Sequence, residues 1–236
     1  MSYNPSKSTY TNPNIEYLFN SEIIEYDMQD AGLSIIKTYG LLPKVDIQSL
    51  EGLDKDARNR QVGILQINNK FLKDSLLEKF AEMRKLFIEA NDLTDHRIIS
   101  VKKDAIYVIG ECKNLKFGKV VFVKKNEYSS YIRLAANNNI EIYYKDRTLD
   151  IKGIGDITLN RHRLYLMEFL DKIISDIEMK NVSVKRYIVK FISDYKAMRL
   201  EDGFYLEFNN MSRDINPIYN YEKVIVPLVQ IIMKEL

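Results

Sequence analysis

The sequence has 236 residues, of which 46% are hydrophobic and 29% are charged, and its formal net charge is +2. This composition suits one large domain or two small ones with a hydrophobic core, and it excludes an intrinsically disordered chain. No apolar run reaches the ~18 residues that span a bilayer, the polar N-terminus lacks the apolar region of a signal peptide, and a single cysteine, Cys112, leaves no intrachain disulfide. We therefore expect a cytoplasmic protein with no membrane partner.

The first forty residues predict an arm, a strand and a helix. Residues 1–20 contain Asn-Pro twice and many Ser and Thr residues, which is typical of a flexible N-terminal arm. The apolar run at 22–26 predicts a short strand, and residues 29–39 predict a helix that ends at Gly40.

A long helical region follows. Residues 41–53 contain Pro43 and Gly52 and predict a connection or a short helical hairpin. From residue 54 the apolar residues recur at three- and four-residue spacing, which predicts long helices. Their shared face consists of Leu72, Leu76, Phe80, Met83, Phe87 and Ala90.

The second half of the chain predicts a β region and then more helices. Two apolar runs, 97–101 and 105–109, are separated by Lys-Lys-Asp and predict a hairpin. Further strands are expected at 120–124, 140–144, 149–154 and 204–208, and further helices at 164–177, 184–195 and 221–236. This order of elements predicts an α+β fold.

Two aspartates occupy positions where strands end or turn. Asp27 follows the first predicted strand, and Asp104 lies at the bend of the predicted hairpin. If those strands are neighbours in one sheet, both carboxylates project from the same edge. Two adjacent carboxylates favour a divalent cation between them, and paired cations suit phosphoryl transfer. The alternatives remain open that Asp27 caps the following helix and that Asp104 is simply a turn residue.

The other candidate residues are basic, and the two histidines, His96 and His162, are too scattered to form a metal cluster. Lys55 begins a predicted helix and shares a face with Asn59, so that it could hold a triphosphate. A solvated lysine is the simpler interpretation. Basic residues also gather at 102–103, 113–125 and 185–199, and each group is typical of a solvated surface.

Three segments together resemble motifs of the family-B DNA polymerases. DMQDAGLSII, residues 27–36, resembles the palm motif DxxSLYPSII. KDARNRQVG, residues 55–63, resembles the fingers motif KxxxNSxYG, and SVKKDAIYV, residues 100–108, resembles the palm hairpin YxDTDSxxV. The three occur in the order of the family. Downstream, KKNEY and IKG loosely resemble its KKxY segment and KG turn, at 124–128 and 151–153.

The resemblance implies a fold and a division of the chain. It implies a palm, an antiparallel sheet backed by helices, at residues 21–158 with reduced fingers at about 41–63. A helical thumb-like region would occupy residues 159–236. The origin would be viral, and the protein would work in the host cytoplasm.

The resemblance also implies roles for single residues. Asp27 and Asp104 would be catalytic and would bind Mg²⁺ or Mn²⁺. Lys55 would contact the incoming nucleoside triphosphate and Asn59 would shape its pocket. Two further lysines would lie near primer or template DNA; they are Lys125 and Lys152.

Four departures from the family pattern bear on these roles. The fingers are much shortened, which could require a partner protein to supply them, and no proofreading domain precedes the palm. Lys102 replaces the first aspartate of the DTD motif and could itself neutralise the site. Gly32 replaces the tyrosine that excludes ribonucleotides, so that we expect tolerance of NTPs.

Three functions fit the sequence. The first is a minimal template-directed nucleotidyltransferase. The second is a polymerase-derived subunit that binds nucleic acid or serves assembly without catalysis. The third is an unrelated α+β interaction protein whose motif matches arise by chance. Retention of Asp27, Lys55 and Asp104 together favours the first, while Lys102 and the short fingers favour the second.

Overall fold

The protein has an α+β fold with an antiparallel sheet in each of two compact units. The structure is a computed structural model that describes residues 3–134, 140–153, 168–201 and 230. Unit 1 comprises Met1–Asn14 and Ile23–Glu127, and unit 2 comprises Ile15–Glu22 and Tyr128–Leu236. The prediction of an α+β fold is confirmed. Among the described residues, no helix is both long and apolar enough to cross a membrane.

Unit 1 contains a six-stranded sheet and four helices in its described part. The strands are β1 (Thr9–Thr11), β3 (Ile23–Met28), β4 (Ile98–Lys102), β5 (Ala105–Ile109), β6 (Lys116–Phe117) and β7 (Val120–Tyr128), the last residue of which belongs to unit 2. The helices are α1 (Ala31–Tyr39), α2 (Lys44–Glu51), α3 (Lys55–Asn68) and α4 (Lys70–Ala90). The sheet order is β1-β4-β5-β3-β7-β6.

The core of unit 1 lies between one face of this sheet and its helices. Alternate residues of β3 contribute to it, and they are Ile24, Tyr26 and Met28. From α4, Leu72, Leu76, Met83 and Phe87 are buried in the same core, as the three- and four-residue spacing predicts. Since side chains alternate along a strand, Glu25 and Asp27 of β3 lie on the opposite face of the sheet.

Unit 2 contains a four-stranded sheet and two described helices. The strands are β2 (Tyr17–Leu18), β8 (Ser130–Leu134), β9 (Ile140–Lys145) and β10 (Thr148–Lys152), in the order β10-β9-β8-β2. Residues 168–178 are helical, forming α5, and α6 is Val184–Lys196. Both helices pack on the apolar face of β8–β10, where Ile132, Ile142 and Ile151 are buried with Ile173 and Ile188.

This packing places the boundary between the two parts of the chain earlier than the sequence predicts. The predicted palm extends to residue 158, but the structure divides the chain after Glu127. The reason is that β8–β10 bury their apolar face against α5 and α6. The helices predicted as a separate thumb-like region therefore share a core with three strands predicted to belong to the palm.

The N-terminal twenty residues also differ from the prediction of a flexible arm. Thr9–Thr11 forms β1 at the edge of the unit 1 sheet and pairs with β4, and Tyr17–Leu18 forms β2 and pairs with β8. Tyr3 and Asn12 are buried. The hydrophobic pattern does not indicate these strands because they are very short edge strands, which need no continuous apolar run.

The strand predicted at 204–208 lies outside the described residues, as does nearly all of the helix predicted at 221–236.

Candidate functional site

The structure brings Asp27 and Asp104 together. Asp27 lies one residue before the end of β3, and Asp104 lies in the two-residue loop between β4 and β5. β3 and β5 are antiparallel neighbours in which Asp27 pairs with Ala105. The Met28 N–H donates a hydrogen bond to the Asp104 carbonyl oxygen over 3.2 Å. The two aspartates therefore lie on adjacent strand ends, as the sequence predicts.

The electrostatic environment of Asp104 reflects this closeness. Burial raises the pKa of the Asp104 carboxyl group, and the negative charge of Asp27 raises the pKa further. A hydrogen bond from its own backbone and the positive charges of Lys125 and Lys103 act in the opposite direction but do not cancel the increase. Burial is thus the main cause of the raised pKa, and repulsion by the like charge of Asp27 is the second cause.

A third carboxylate and a lysine complete the group. Glu25 is buried on the same face of β3 as Asp27, and Lys125 of β7 lies beside both. The Lys125 Nζ is 3.4 Å from Glu25 Oε1 and 3.3 Å from Asp27 Oδ2. The Asn126 Nδ2 donates to Glu25 Oε2 over 2.6 Å. We call Glu25, Asp27, Asp104, Lys125 and Asn126 the carboxylate cluster.

The pKa of Lys125 is also shifted by the carboxylates of the cluster. Burial lowers the pKa of its ammonium group, but the carboxylates of Glu25 and Asp27 outweigh this effect and raise the pKa overall. Lys125 is therefore charged at neutral pH and offsets part of the acidic charge of the cluster.

Asp27 does not cap the following helix. The N-cap residue of α1 is Asp30, which has a left-handed backbone with φ of 45°. The Asp30 carboxylate forms an ion pair with Arg58 over 3.0 Å. The capping alternative for Asp27 is therefore wrong, and its carboxylate faces Lys125 and Asp104 instead.

Lys125, expected near the backbone of DNA, lies instead beside the aspartates. Its Nζ forms the ion pair with Asp27, so that a lysine of β7 partly neutralises the site. Lys102, the lysine expected in this role, donates from Nζ to Thr11 Oγ1 over 3.2 Å.

The residues expected around the nucleotide lie on α1 and α3. Lys55 and Asn59 are exposed on α3, whereas Val62 is buried. No hydrogen bond or ion pair in the described part of the chain joins Lys55 or Asn59 to the carboxylate cluster. A Cβ atom added to Gly32 would lie 3.2 Å from Val62 Cγ1. The absence of a side chain at residue 32 thus permits α1 to approach α3 closely.

Lys152, the second lysine expected near DNA, belongs to unit 2. Its Nζ lies 2.8 Å from Asp150 Oδ2, and the same oxygen accepts a hydrogen bond from the Tyr128 hydroxyl over 3.0 Å. This lysine is paired with an acidic residue of its own strand.

The carboxylate cluster has the donor type and the net charge that suit a hard divalent cation, but its side chains are not arranged as a ready metal site. Carboxylate oxygens are the ligands that Mg²⁺ and Mn²⁺ prefer. With all groups ionised, three carboxylates and one ammonium leave two negative charges, which one divalent cation would balance. The described residues form no group of three or more His, Cys, Asp or Glu spaced to hold a metal. Asp27 and Asp104 would supply two ligands, and water or phosphate would supply the others.

The sequence motifs do not indicate Glu25 and Asn126. Glu25 precedes Asp27 by two residues on a strand, so that the two-residue alternation of strands was the available signal. Asn126 has no such signal, because its contact with Glu25 joins residues 101 positions apart.

The chain also matches a known family. The family model described as Bacteriophage PBS1 gene 130 protein covers residues 2–231. The chain belongs to this family. The description names a phage gene product and states no activity, and no curated protein matches the chain. For this member of the gene 130 family, neither comparison points to a family-B DNA polymerase, and the chemistry rests on the carboxylate cluster.

Proposed function

We propose that this chain is a template-directed nucleotidyltransferase, resembling a minimal family-B DNA polymerase, in which Asp27 and Asp104 hold divalent cations. The observation that carries the proposal is the juxtaposition of these aspartates at the ends of neighbouring strands. The antiparallel sheet of unit 1, with helices on one face, supports the interpretation as a palm. In this proposal α2 and the start of α3 are the reduced fingers, and the helices of unit 2 serve as the thumb.

Four residues of the cluster have a task in the proposed reaction. Bound Mg²⁺ or Mn²⁺ would supply the positive charge that phosphoryl transfer needs on its attacking and leaving oxygens. Asp27 and Asp104 present oxygen ligands from a rigid sheet. Lys125 holds the Glu25 and Asp27 carboxylates in place through its two ion pairs. Glu25 lies behind Asp27 and adds negative charge without needing contact with the reacting atoms.

The proposed substrates follow the resemblance. Lys55 would contact the triphosphate of the incoming nucleotide and Asn59 would shape its pocket, both from the exposed surface of α3. Primer–template DNA is the proposed nucleic acid; Lys125 and Lys152, which the resemblance placed near its backbone, are instead paired with carboxylates of their own units. A partner protein would supply the missing part of the fingers. The phage family supports a setting in the host cytoplasm.

Primer extension tests the proposal. The full chain is incubated with primer–template DNA, Mg²⁺ or Mn²⁺, and either dNTPs or NTPs. We expect extension by the wild-type protein and its loss in the Asp27→Asn/Asp104→Asn double variant. Asp74→Asn, an exposed aspartate of α4, is the matched control and leaves extension unchanged. Extension that persists in the double variant would contradict the proposal.

The same assay tests the expectation for Gly32. Because Gly32 has no side chain to meet a ribose 2′-hydroxyl, we expect NTPs to be used alongside dNTPs. A preference for dNTPs of ~10³-fold or more, which is over ~4 kcal/mol in transition-state binding, would overturn this expectation. The contact with Val62 then remains as the packing reason for glycine at this position.

One observation favours the second candidate function, a non-catalytic subunit that binds nucleic acid. Lys125 already neutralises Asp27, which is how a cluster that has lost its cation would be stabilised. In that case no extension occurs, and DNA binding with a steep salt dependence is the same in the wild type and the double variant. Absence of both extension and DNA binding would leave the interaction protein as the remaining function.

A further inference from the structure

The loop that carries Asp104 is held by a buried arginine of α4. Arg84 is only 2% exposed, and its guanidinium donates to backbone carbonyls of two distant segments. Its Nε and Nη2 donate to the Pro5 oxygen over 3.1 and 2.8 Å, and its Nη1 donates to the Lys103 oxygen over 3.1 Å. Lys103 directly precedes Asp104, so that Arg84 fixes the peptide bond from which Asp104 begins.

The N-terminal segment also bonds directly to this loop. We call residues 3–12 the N-terminal strap. The Lys103 N–H donates to the Ser8 carbonyl over 2.6 Å, and Thr9 pairs with Lys102 in the sheet. The Tyr3 hydroxyl donates to the Lys7 carbonyl over 3.1 Å and closes the strap on itself. Both backbone polar groups of Lys103 are therefore bonded to residues outside the hairpin.

This support holds a strained backbone. Lys103 has φ of 58°, a left-handed conformation that costs an L-residue energy and that glycine adopts more easily. Such a conformation persists where the surroundings determine it. Arg84 and the strap supply these surroundings, and the next residue bonds to β3 through the Asp104 carbonyl and the Met28 N–H.

We propose that Arg84 is a positioning residue for the Asp27–Asp104 pair, because by joining the strap to the Lys103 carbonyl it sets where Asp104 lies against β3. The inference rests on the proposed function in that the pair is taken to hold divalent cations. Arg84 itself touches neither aspartate through the hydrogen bonds described above; it acts through the backbone of the loop.

The other end of the same hairpin offers a matched control. Arg97 also holds backbone carbonyls with its guanidinium, donating from Nε to Ile109 over 2.9 Å and from Nη2 to Glu111 over 3.1 Å. Its loss removes similar bonds from β5 without touching the Lys103–Asp104 loop. Arg84→Lys and Arg97→Lys both keep the positive charge and lose the forked geometry of arginine.

The experiment measures Mn²⁺ affinity and amide hydrogen exchange in the wild type and both variants. In Arg84→Lys we expect Mn²⁺ binding to weaken by about 10- to 100-fold, the usual effect of removing a group that orients a metal ligand. The Lys103 and Met28 amides should exchange faster. In Arg97→Lys we expect unchanged Mn²⁺ affinity and faster exchange at Ile109 alone. Unchanged affinity in Arg84→Lys, or an equal loss in both variants, would overturn the proposal.

Two further outcomes distinguish a failure of the Arg84 proposal from a failure of the proposed function. If the wild type does not bind Mn²⁺, the proposed function fails, and positioning is judged by exchange alone. Unchanged exchange at Lys103 and Met28 in Arg84→Lys would then overturn it. If Arg84→Lys does not fold, Tyr3→Phe replaces it, because this variant removes the hydroxyl that bonds to Lys7 and to the Arg84 side chain while Arg84 itself stays in place. Faster exchange at Lys103 is expected there, and exchange equal to that of the wild type would overturn the proposal.

Discussion

Among the described hairpins with two-residue loops, β9–β10 and β4–β5 fix the conformation of their loops in different ways. In the β9–β10 hairpin, Lys145 pairs with Thr148, and the loop residues Asp146 and Arg147 have φ of 47° and 66°. Positive φ at both positions is the pattern of a type I′ turn, whose twist matches that of the strands. Both loop residues are exposed and adopt the turn type that hairpins favour, and the one ion pair that Arg147 forms among the described residues, with Asp171 over 3.9 Å, is long and solvent-accessible.

The β4–β5 hairpin depends on residues far away in the sequence. Lys102 pairs with Ala105, and Lys103 has positive φ in the loop while Asp104 does not. Positive φ at the first position alone favours glycine. Lys103 is held there by Arg84 and by Ser8. The difference shows that the loop carrying an acidic site residue is fixed by tertiary contacts rather than by its own sequence.

The largest effect expected from this comparison follows the loss of Arg84. Arg84→Met leaves the carbonyls of Pro5 and Lys103 without their donor, and these carbonyls are partly buried; an unsatisfied group costs about 1–3 kcal/mol when it is buried. We expect the free energy of unfolding to fall by about 2–5 kcal/mol in urea titrations. Arg147→Met in the other loop, where the side chain is 87% exposed, should change it by less than about 0.5 kcal/mol. Equal losses would show that the two loops are held alike.

A smaller loss of stability is expected for lysine substitutions in the two units, Lys125→Met in unit 1 and Lys152→Met in unit 2. Lys125→Met leaves the buried Glu25 and the neighbouring Asp27 without their ammonium partner. Because Lys125 is half exposed, we expect a loss of about 1–2 kcal/mol rather than that of a fully buried pair. Lys152→Met should cost less than about 1 kcal/mol, since Asp150 keeps the hydrogen bond from Tyr128. Both losses of stability are measured by urea unfolding, with hydrogen exchange monitored in each unit. A larger loss in Lys152→Met than in Lys125→Met would contradict the assignment of Lys125 as the shared partner of Glu25 and Asp27.

Glycine substitutions test the backbone strain in the two loops. Lys103→Gly and Arg147→Gly both place glycine at positive φ, which relieves strain but raises the entropy of the unfolded chain. The net gain expected is about 0.5–1 kcal/mol for each. The bonds from Lys103 to Arg84 and Ser8 use its backbone and survive the change. A loss of stability in Lys103→Gly alone would mean that its side chain has a role of its own.

The smallest effect is a pH dependence. The pKa of Asp104 is raised by burial and by Asp27. A protonated Asp104 is therefore favoured in the folded state, and this contribution to stability is present at low pH and is lost as the pH rises through the raised pKa. Asp104→Asn removes the ionisation, so that we expect a higher Tm than the wild type at pH 7 and no such gain at acidic pH. Asp146→Asn in the exposed loop is the control variant. An increase in Tm for Asp104→Asn that is the same at pH 7 and at acidic pH would contradict a raised pKa of Asp104.

The elements nearest the site could be predicted from sequence. These elements are β3, α1, β4 and β5, and each is a short stretch with apolar residues at strand or helix spacing. The closeness of the two aspartates was expected only if their strands were neighbours, and the structure contains the β3–β5 pairing that meets this condition. Local pattern was sufficient here because each element buries one clear face.

The rest depended on contacts between distant residues. β1 is polar and is a strand because β4, some ninety residues later, offers it an open edge. Arg84 interrupts the apolar face of α4 and gives no sign of its partners at Pro5 and Lys103. The division after Glu127 reflects which strands share a core with α5 and α6, and that cannot be deduced from the order of elements alone.

The most direct test of the account is the affinity for Mn²⁺ at neutral pH, measured by electron paramagnetic resonance. The wild-type protein is compared with Asp27→Asn/Asp104→Asn and with Asp74→Asn. The account predicts binding by the wild type and by Asp74→Asn, and a loss of about 100-fold or more in the double variant. Binding of equal strength in all three proteins, or no binding by the wild type, would contradict a cation site at these aspartates.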